Sequence, residues 1–161
     1  MRKKPEPSLK NRAMQYLARR EYSRAELRDK LLKHALTEDD LAHHAAVNLD
    51  GLLDELTTRG WLSDQRAATQ LVNRKRGRFG LQRITHELQQ KGLTDSLIED
   101  MLPGLKETEL DAAREVWTRK FGALPQDARE KARQMRFLQS RGFSPETIYS
   151  VLRSLSSLDG Q

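Results

Sequence analysis

The chain has 161 residues, no cysteine, 32% charged side chains and a net charge of +6. Without thiols, disulfides, thiolate metal sites and cysteine nucleophiles are excluded, and no stretch approaches the roughly 18 consecutive apolar residues of a membrane span. The opening M-R-K-K-P-E-P-S runs into Leu9 and Lys10 and not into the apolar middle of a secretory signal, so a soluble, cytoplasmic protein is expected, with a monomer as the default for so polar a composition.

Residues 1–10 read as a flexible basic N-terminus. A first helix is expected from Asn11 to Arg20, burying Ala13, Tyr16 and Leu17 at helical spacing. Ser23-Arg24-Ala25-Glu26 has the form of a capping box and opens a second helix with Leu27 and Leu31 as its core residues. A long third helix follows Thr37, with Leu41, Ala45, Leu49, Leu52, Leu53 and Leu56 in one stripe and Gly51 as a weak point, and Gly60 ends it. These three helices make a unit over residues 11–60.

A second unit, 61–104, starts at Trp61-Leu62-Ser63-Asp64. Its helices carry Ala67, Leu71 and Val72; then Leu81, Ile84 and Leu88; then Leu97, Ile98, Met101 and Leu102, ended by Pro103 and Gly104. A third unit, 105–156, has Leu110, Ala113 and Trp117 on a helix from Glu107 to Lys120. A second helix runs through Ala128, Met135 and Leu138, and a last one opens at Ser144-Pro145 and buries Ile148, Val151, Leu152 and Leu155. Residues 157–161 are expected to fray. Trp61 and Trp117 are both expected to pack between helices.

The three units share a recurring string: L-L-K-H-A-L-T from Leu31, L-Q-Q-K-G-L-T from Leu88 and L-Q-S-R-G-F-S from Leu138, spaced by 57 and 50 residues. In physical terms one helix closes on a small residue and the next opens on an N-cap hydroxyl followed by a first-turn carboxylate. Gly92 and Gly142 are therefore expected at positive φ. With no alternating segment long enough for a strand, the class is all-α: a tandem array of three three-helix repeats. Net charge alternates along it, +7 over residues 1–34, −6 over 35–64, +6 over 65–92, −3 over 93–121 and +2 over 122–161. Stacked copies would then present basic and acidic surfaces on different sides, the basic one suited to phosphates or an acidic protein, although solvated helix faces give the same pattern.

No phosphate loop, H-E-x-x-H, G-x-S-x-G or cysteine pair is present, so no catalytic residue, cofactor or metal site is expected. His43 and His44 are neighbours pointing about 100° apart on a helix and do not share a metal easily, and His34 and His86 read as surface residues. Glu38, Asp39 and Asp40 resemble a divalent-metal cluster but stand where first-turn carboxylates cap a helix. The basic groups are the stronger candidates. Arg74, Lys75, Arg76 and Arg78 surround Gly77 and precede Phe79 and Gly80, with Arg83 one turn on, and Arg19, Arg20, Arg24 and Arg28 hold the corresponding turn of the first copy. Such cations near a turn can hold phosphate or an acidic partner. Tyr22 and Phe79 stand at matching positions, where packing accounts for them as well as base stacking does.

In four stretches the chain resembles the RecX family, the bacterial regulators of the RecA recombinase: A-R-R-E-Y-S-R-A-E-L-R-D-K-L from Ala18, R-G-W-L-S-D-Q-R-A-A from Arg59, R-K-R-G-R-F-G-L-Q-R-I-T-H-E-L-Q-Q-K-G-L from Arg74, and R-F-L-Q-S-R-G-F from Arg136. The resemblance runs from about residue 12 to 153. Ala67 replaces an aromatic usual in the family, Trp61 stands where tyrosine is common, and Leu41 to Val47 match poorly. The resemblance implies an elongated, curved stack of repeats that binds the groove of the RecA–DNA filament, with DNA contacted within or near it. It also implies inhibition of RecA ATPase, strand exchange and repressor cleavage, and hence a regulator of homologous recombination and the SOS response that is not an enzyme. Two other readings stay open on the residues alone: a module binding DNA directly, with Ser144 to Leu155 as recognition helix, and a nuclease using Asp39 and Asp40.

Overall fold

The computed structural model describes residues 7–35, 42–158 and 160, and the side chains of all of these except 35 and 42–47. The Thr37 cap, Leu41 and the acidic run at 38–40 lie outside the described residues, as do the side chains of Ala45, His43 and His44. Eight α-helices make up the described chain: α1 (Leu9–Arg19), α2 (Arg24–Ala35), α3 (Ala42–Thr58), α4 (Asp64–Lys75), α5 (Leu81–Gln90), α6 (Asp95–Lys120), α7 (Ala128–Ser140) and α8 (Pro145–Leu158). There is no strand among the described residues, and none of their helices is long and apolar enough to cross a membrane.

Most of these helices open on a short polar side chain that accepts from an amide with no partner inside its own helix. The amide of Asn11 donates to the Ser8 hydroxyl, Glu26 to Ser23, Arg66 to Ser63, Leu97 to Thr94 and Thr147 to Ser144, at 3.1–3.3 Å. In α7 the cap is Asp127, which accepts from the Glu130 amide, while the Glu130 carboxylate reaches back to the Gln126 amide at 2.8 Å.

The chain divides into two compact units, Met1–Ala68 with Lys91–Leu93, and Thr69–Gln90 with Thr94–Gln161. In the first, α2 packs against α1 and α3. Its core is Ala13, Tyr22, Leu27, Leu31, Leu49, Leu53, Leu56 and Leu62, with Tyr16 and Leu17 partly buried beside it. Five of those leucines have no exposed surface, each stabilising the fold by about 1.5–3 kcal/mol relative to exposure. In the second unit α6 packs against α5, α7 and α8. Here Ala112, Ala113, Trp117, Leu138, Phe143, Ile148, Val151 and Leu152 form the core, and the Trp117 indole donates to the Gln134 side-chain oxygen at 2.8 Å.

Two local expectations, at Pro103–Gly104 and at Trp61, are corrected. Pro103 and Gly104 do not end a helix: α6 runs through them as one 26-residue helix. Glu99, Pro103 and Gly104 are on its exposed side, so the Glu99 carbonyl deprived of a donor can be hydrated. Ile98 and Leu105, two turns apart and both buried, hold the inner face on either side of the proline. Trp61 is 39% exposed with the Arg59 guanidinium 5.2 Å from its ring, because its neighbour Leu62 takes the inward position. Ala128 is exposed, and the buried residue on that stretch of α7 is Gln134, the partner of Trp117.

Candidate functional site

A shared joint positions the basic turns. At the N-terminus of α2, the Ser23 hydroxyl donates to the Lys91 carbonyl at 2.6 Å, and Asp64 accepts from the Arg24 amide at 2.7 Å. At the N-terminus of α5, the Gly80 amide donates to the Arg141 carbonyl at 2.9 Å, and Glu109 accepts from the Leu81 amide at 3.0 Å. In each case the start of a repeat's second helix rests on the turn that closes the second helix of the next repeat, and a carboxylate from near the start of that next repeat takes the first free amide. Gly92 and Gly142 stand in those turns at φ 71° and 87°, as expected from the sequence. A Cβ at Gly92 would meet the Ala25 Cβ, one at Gly142 would collide with Arg83, and one at Gly80 would strike the Gly142 backbone.

Sequence reasoning gave no warning of Glu109. It is only 8% exposed, and besides the Leu81 amide its carboxylate accepts from the Thr147 hydroxyl at 2.7 Å and the Ser144 hydroxyl at 3.4 Å, so it closes the starts of both α5 and α8. A helix-interior glutamate in an acidic stretch looks solvated, and only the tertiary contact reveals it.

The two groups of sequence-predicted cations have different environments. In the first copy, Arg24 pairs with Asp54 at 2.8 Å and Arg28 with Asp50 at 3.3 Å, so cations of α2 are matched to carboxylates of α3 instead of standing on a separate face. Arg20 lies 3.6 Å from the Tyr22 ring centre and pairs with Glu26 at 2.7 Å, where Lys91 joins at 3.2 Å. Burial pushes the Glu26 carboxyl up, but the hydrogen bonds and positive charge of Arg20 and Lys91 outweigh it and hold the group below its ordinary value. Arg19 alone of this group has no acidic partner among the described residues.

In the second copy the cations gather around an aromatic ring. Arg83, Lys75 and Arg141 approach Phe79 at 4.1, 4.9 and 5.4 Å from the ring centre. Lys75 and Arg83 share Glu87 at 3.6 and 3.7 Å. Arg76 is a brace, donating to the Gly104 carbonyl at 3.2 Å and the Thr108 hydroxyl at 3.1 Å. Arg74 and Arg78 are exposed and have no acidic partner among the described residues. Arg141 and Lys120, from the third copy, also flank Phe137, at 5.2 and 5.5 Å. Neither was singled out from the sequence, since they stand far along the chain from the Arg74–Arg83 cluster and only folding brings them near it.

Among the described residues no three histidines, aspartates or glutamates come together in a way that could hold a metal ion.

Sequence profiles of the first, second and third three-helix domains of RecX match residues 10–42, 63–102 and 107–152. The regulatory protein RecX of Leptothrix cholodnii is 49% identical over 150 residues, covering 93% of this chain and 90% of that relative. The corresponding protein of Chromobacterium violaceum is 44% identical over 90% of this chain and 89% of its own. The crystal structure of RecX from Lactobacillus salivarius superposes with a TM-score of 0.71 at 18% identity, covering 92% of this chain and 94% of that one, a likeness of fold. Matched in all three helical domains and along nearly its whole length, the chain belongs to the RecX family of regulatory proteins.

Proposed function

We propose that the protein regulates the RecA recombinase by binding the RecA–DNA filament, lowering its ATP turnover, strand exchange and support of repressor cleavage, and so restraining homologous recombination and the SOS response. Family membership over all three helical domains carries this reading. The basic residues support it: Arg74 and Arg78 offer exposed charge to an anionic filament, whereas Arg24 and Arg28 are occupied by carboxylates of their own unit. A regulator of this kind needs no reaction of its own. It must only bind one filament state better than another, and that difference in affinity sets how far the equilibrium moves.

The test is ATP turnover by RecA on single-stranded DNA as the purified chain is added. Turnover is expected to fall in proportion to protein added and to level off near saturation of the filament, with no ATP hydrolysis or DNA cleavage by the chain alone. Unchanged turnover at saturating protein would overturn the proposal. Replacing Arg74 and Arg78 by glutamine is expected to leave melting within about 0.5 kcal/mol of the parent, as for exposed charges, while weakening inhibition and its response to salt.

A further inference from the structure

In the second compact unit, a groove of about 350 Å³ opens between the C-terminal turns of α6 and α7 and the loop after α4. Four cations line it, Arg78, Arg119, Lys120 and Arg141, with Val116 and Phe137 as its apolar wall. No carboxylate lines it. The acid held closest to these cations is Glu115, 3.9 Å from Arg119 in an exposed pair, which offsets little of the charge. Arg141 is fixed at both ends: its carbonyl is held by the Gly80 amide, and its guanidinium lies near the rings of Phe79 and Phe137. Phe137 is itself set by an edge contact with Phe121, ring centres 5.4 Å apart.

From this arrangement we infer that the groove binds the phosphodiester backbone of a single-stranded nucleic acid, with Arg78, Arg119, Lys120 and Arg141 on phosphates and the Phe137 wall against a base or sugar. Guanidinium forks match phosphate oxygens two at a time, and positive grooves with aromatic walls follow a flexible strand because every base has a face to stack. The concave form favours a strand, which can enter, over a duplex, which meets only the rim. An acidic protein surface is the competing occupant, but it would not use the apolar wall beside the charges. The inference deepens the proposed function and rests on it only for which strand is met in the cell. Binding itself is tested without recombinase, so the two fail separately.

The experiment is a fluorescence-anisotropy titration of a labelled oligothymidylate with the full chain over a range of salt concentrations. The groove variant is Arg78→Gln with Arg119→Gln and Lys120→Gln, all exposed residues. The control is Lys106→Gln with Lys131→Gln and Arg153→Gln, which removes equal charge outside the groove. The groove variant is expected to lose roughly tenfold or more in affinity at low salt. Its slope of log affinity against log salt should flatten by about 0.7 per lost phosphate contact, about two in all, while the control keeps the parental slope. Arg119→Glu with Lys120→Glu should lose at least as much, and circular dichroism melts should show all variants folded. Equal losses in groove and control variants, or parental binding by the groove variants, would overturn the inference. So would a groove variant that binds oligothymidylate normally but no longer binds the RecA filament, since the groove would then be a protein-binding surface.

Discussion

Gly142 shows how much a single position can hold. Its φ of 87° is one that side-chain-bearing residues rarely adopt, and an added methyl would collide with Arg83. Gly142→Ala is therefore expected to destabilise by more than about 1 kcal/mol in urea unfolding, since the steric clash adds to the backbone cost. Gly51→Ala, in open space inside α3, should be neutral or gain up to about 1 kcal/mol. Glu109→Gln keeps the shape but gives up the charge that accepts from one amide and two hydroxyls, and a loss of about 1–3 kcal/mol is expected in the same measurement. Glu26 makes stability depend on pH. Its folded value lies below the ordinary 4.5, so its contribution is complete above that value and is lost as pH falls through the folded one. The stability gap between the parent and Glu26→Gln should be constant near neutrality and shrink below about pH 4.5. Gly142 was legible in the sequence because helix closure is a local event; Glu109 was not, because nothing within a few residues of it hints at a distant helix start.

At the scale of helices, local chemistry marked most of the starts: Ser23, Ser63, Thr94 and Ser144 each cap where their spacing before an apolar stripe indicates. It misplaced the end at Pro103, since a proline-glycine pair is a strong local stop, yet Ile98 and Leu105 bury the same helix on both sides of it. Because proline removes one hydrogen bond from α6 at an exposed position, Pro103→Ala should restore it and raise stability by about 1–3 kcal/mol, read as a higher melting temperature. No change would mean that the helix already compensates fully at that turn. The charge pattern alternates along the chain, but in space opposite signs meet. Alternating signs do separate α2 from α3, but Arg24 and Arg28 meet Asp54 and Asp50 instead of facing outward. Sequence gives the sign of a segment; the packing angle of two helices decides whether opposite signs meet.

For the whole molecule, compact units and sequence domains do not coincide. The turn Lys91–Leu93 lies beyond the first matched domain in sequence but belongs to the first compact unit. A fragment of residues 1–68 keeps Asp64 but lacks the Lys91 carbonyl that Ser23 reaches and the Lys91 ammonium beside Glu26. It is expected to show faster amide exchange at the start of α2 than the full chain, and addition of residues up to 93 alone should not recover full protection, because α5 would then lack α6, against which it packs. Equal protection in fragment and full chain would show the joint to be energetically idle.

The same joint sets an order in time. During synthesis α2 leaves the ribosome long before its partners do: Asp64 follows Arg24 by 40 residues and Lys91 follows Ser23 by 68. At bacterial elongation rates of about 5–20 residues per second, the helix start waits several seconds for the carbonyl that receives Ser23. A nascent chain paused before residue 91 has emerged thus lacks the carbonyl that receives Ser23, and the start of α2 stays without that contact for as long as α5 is being translated.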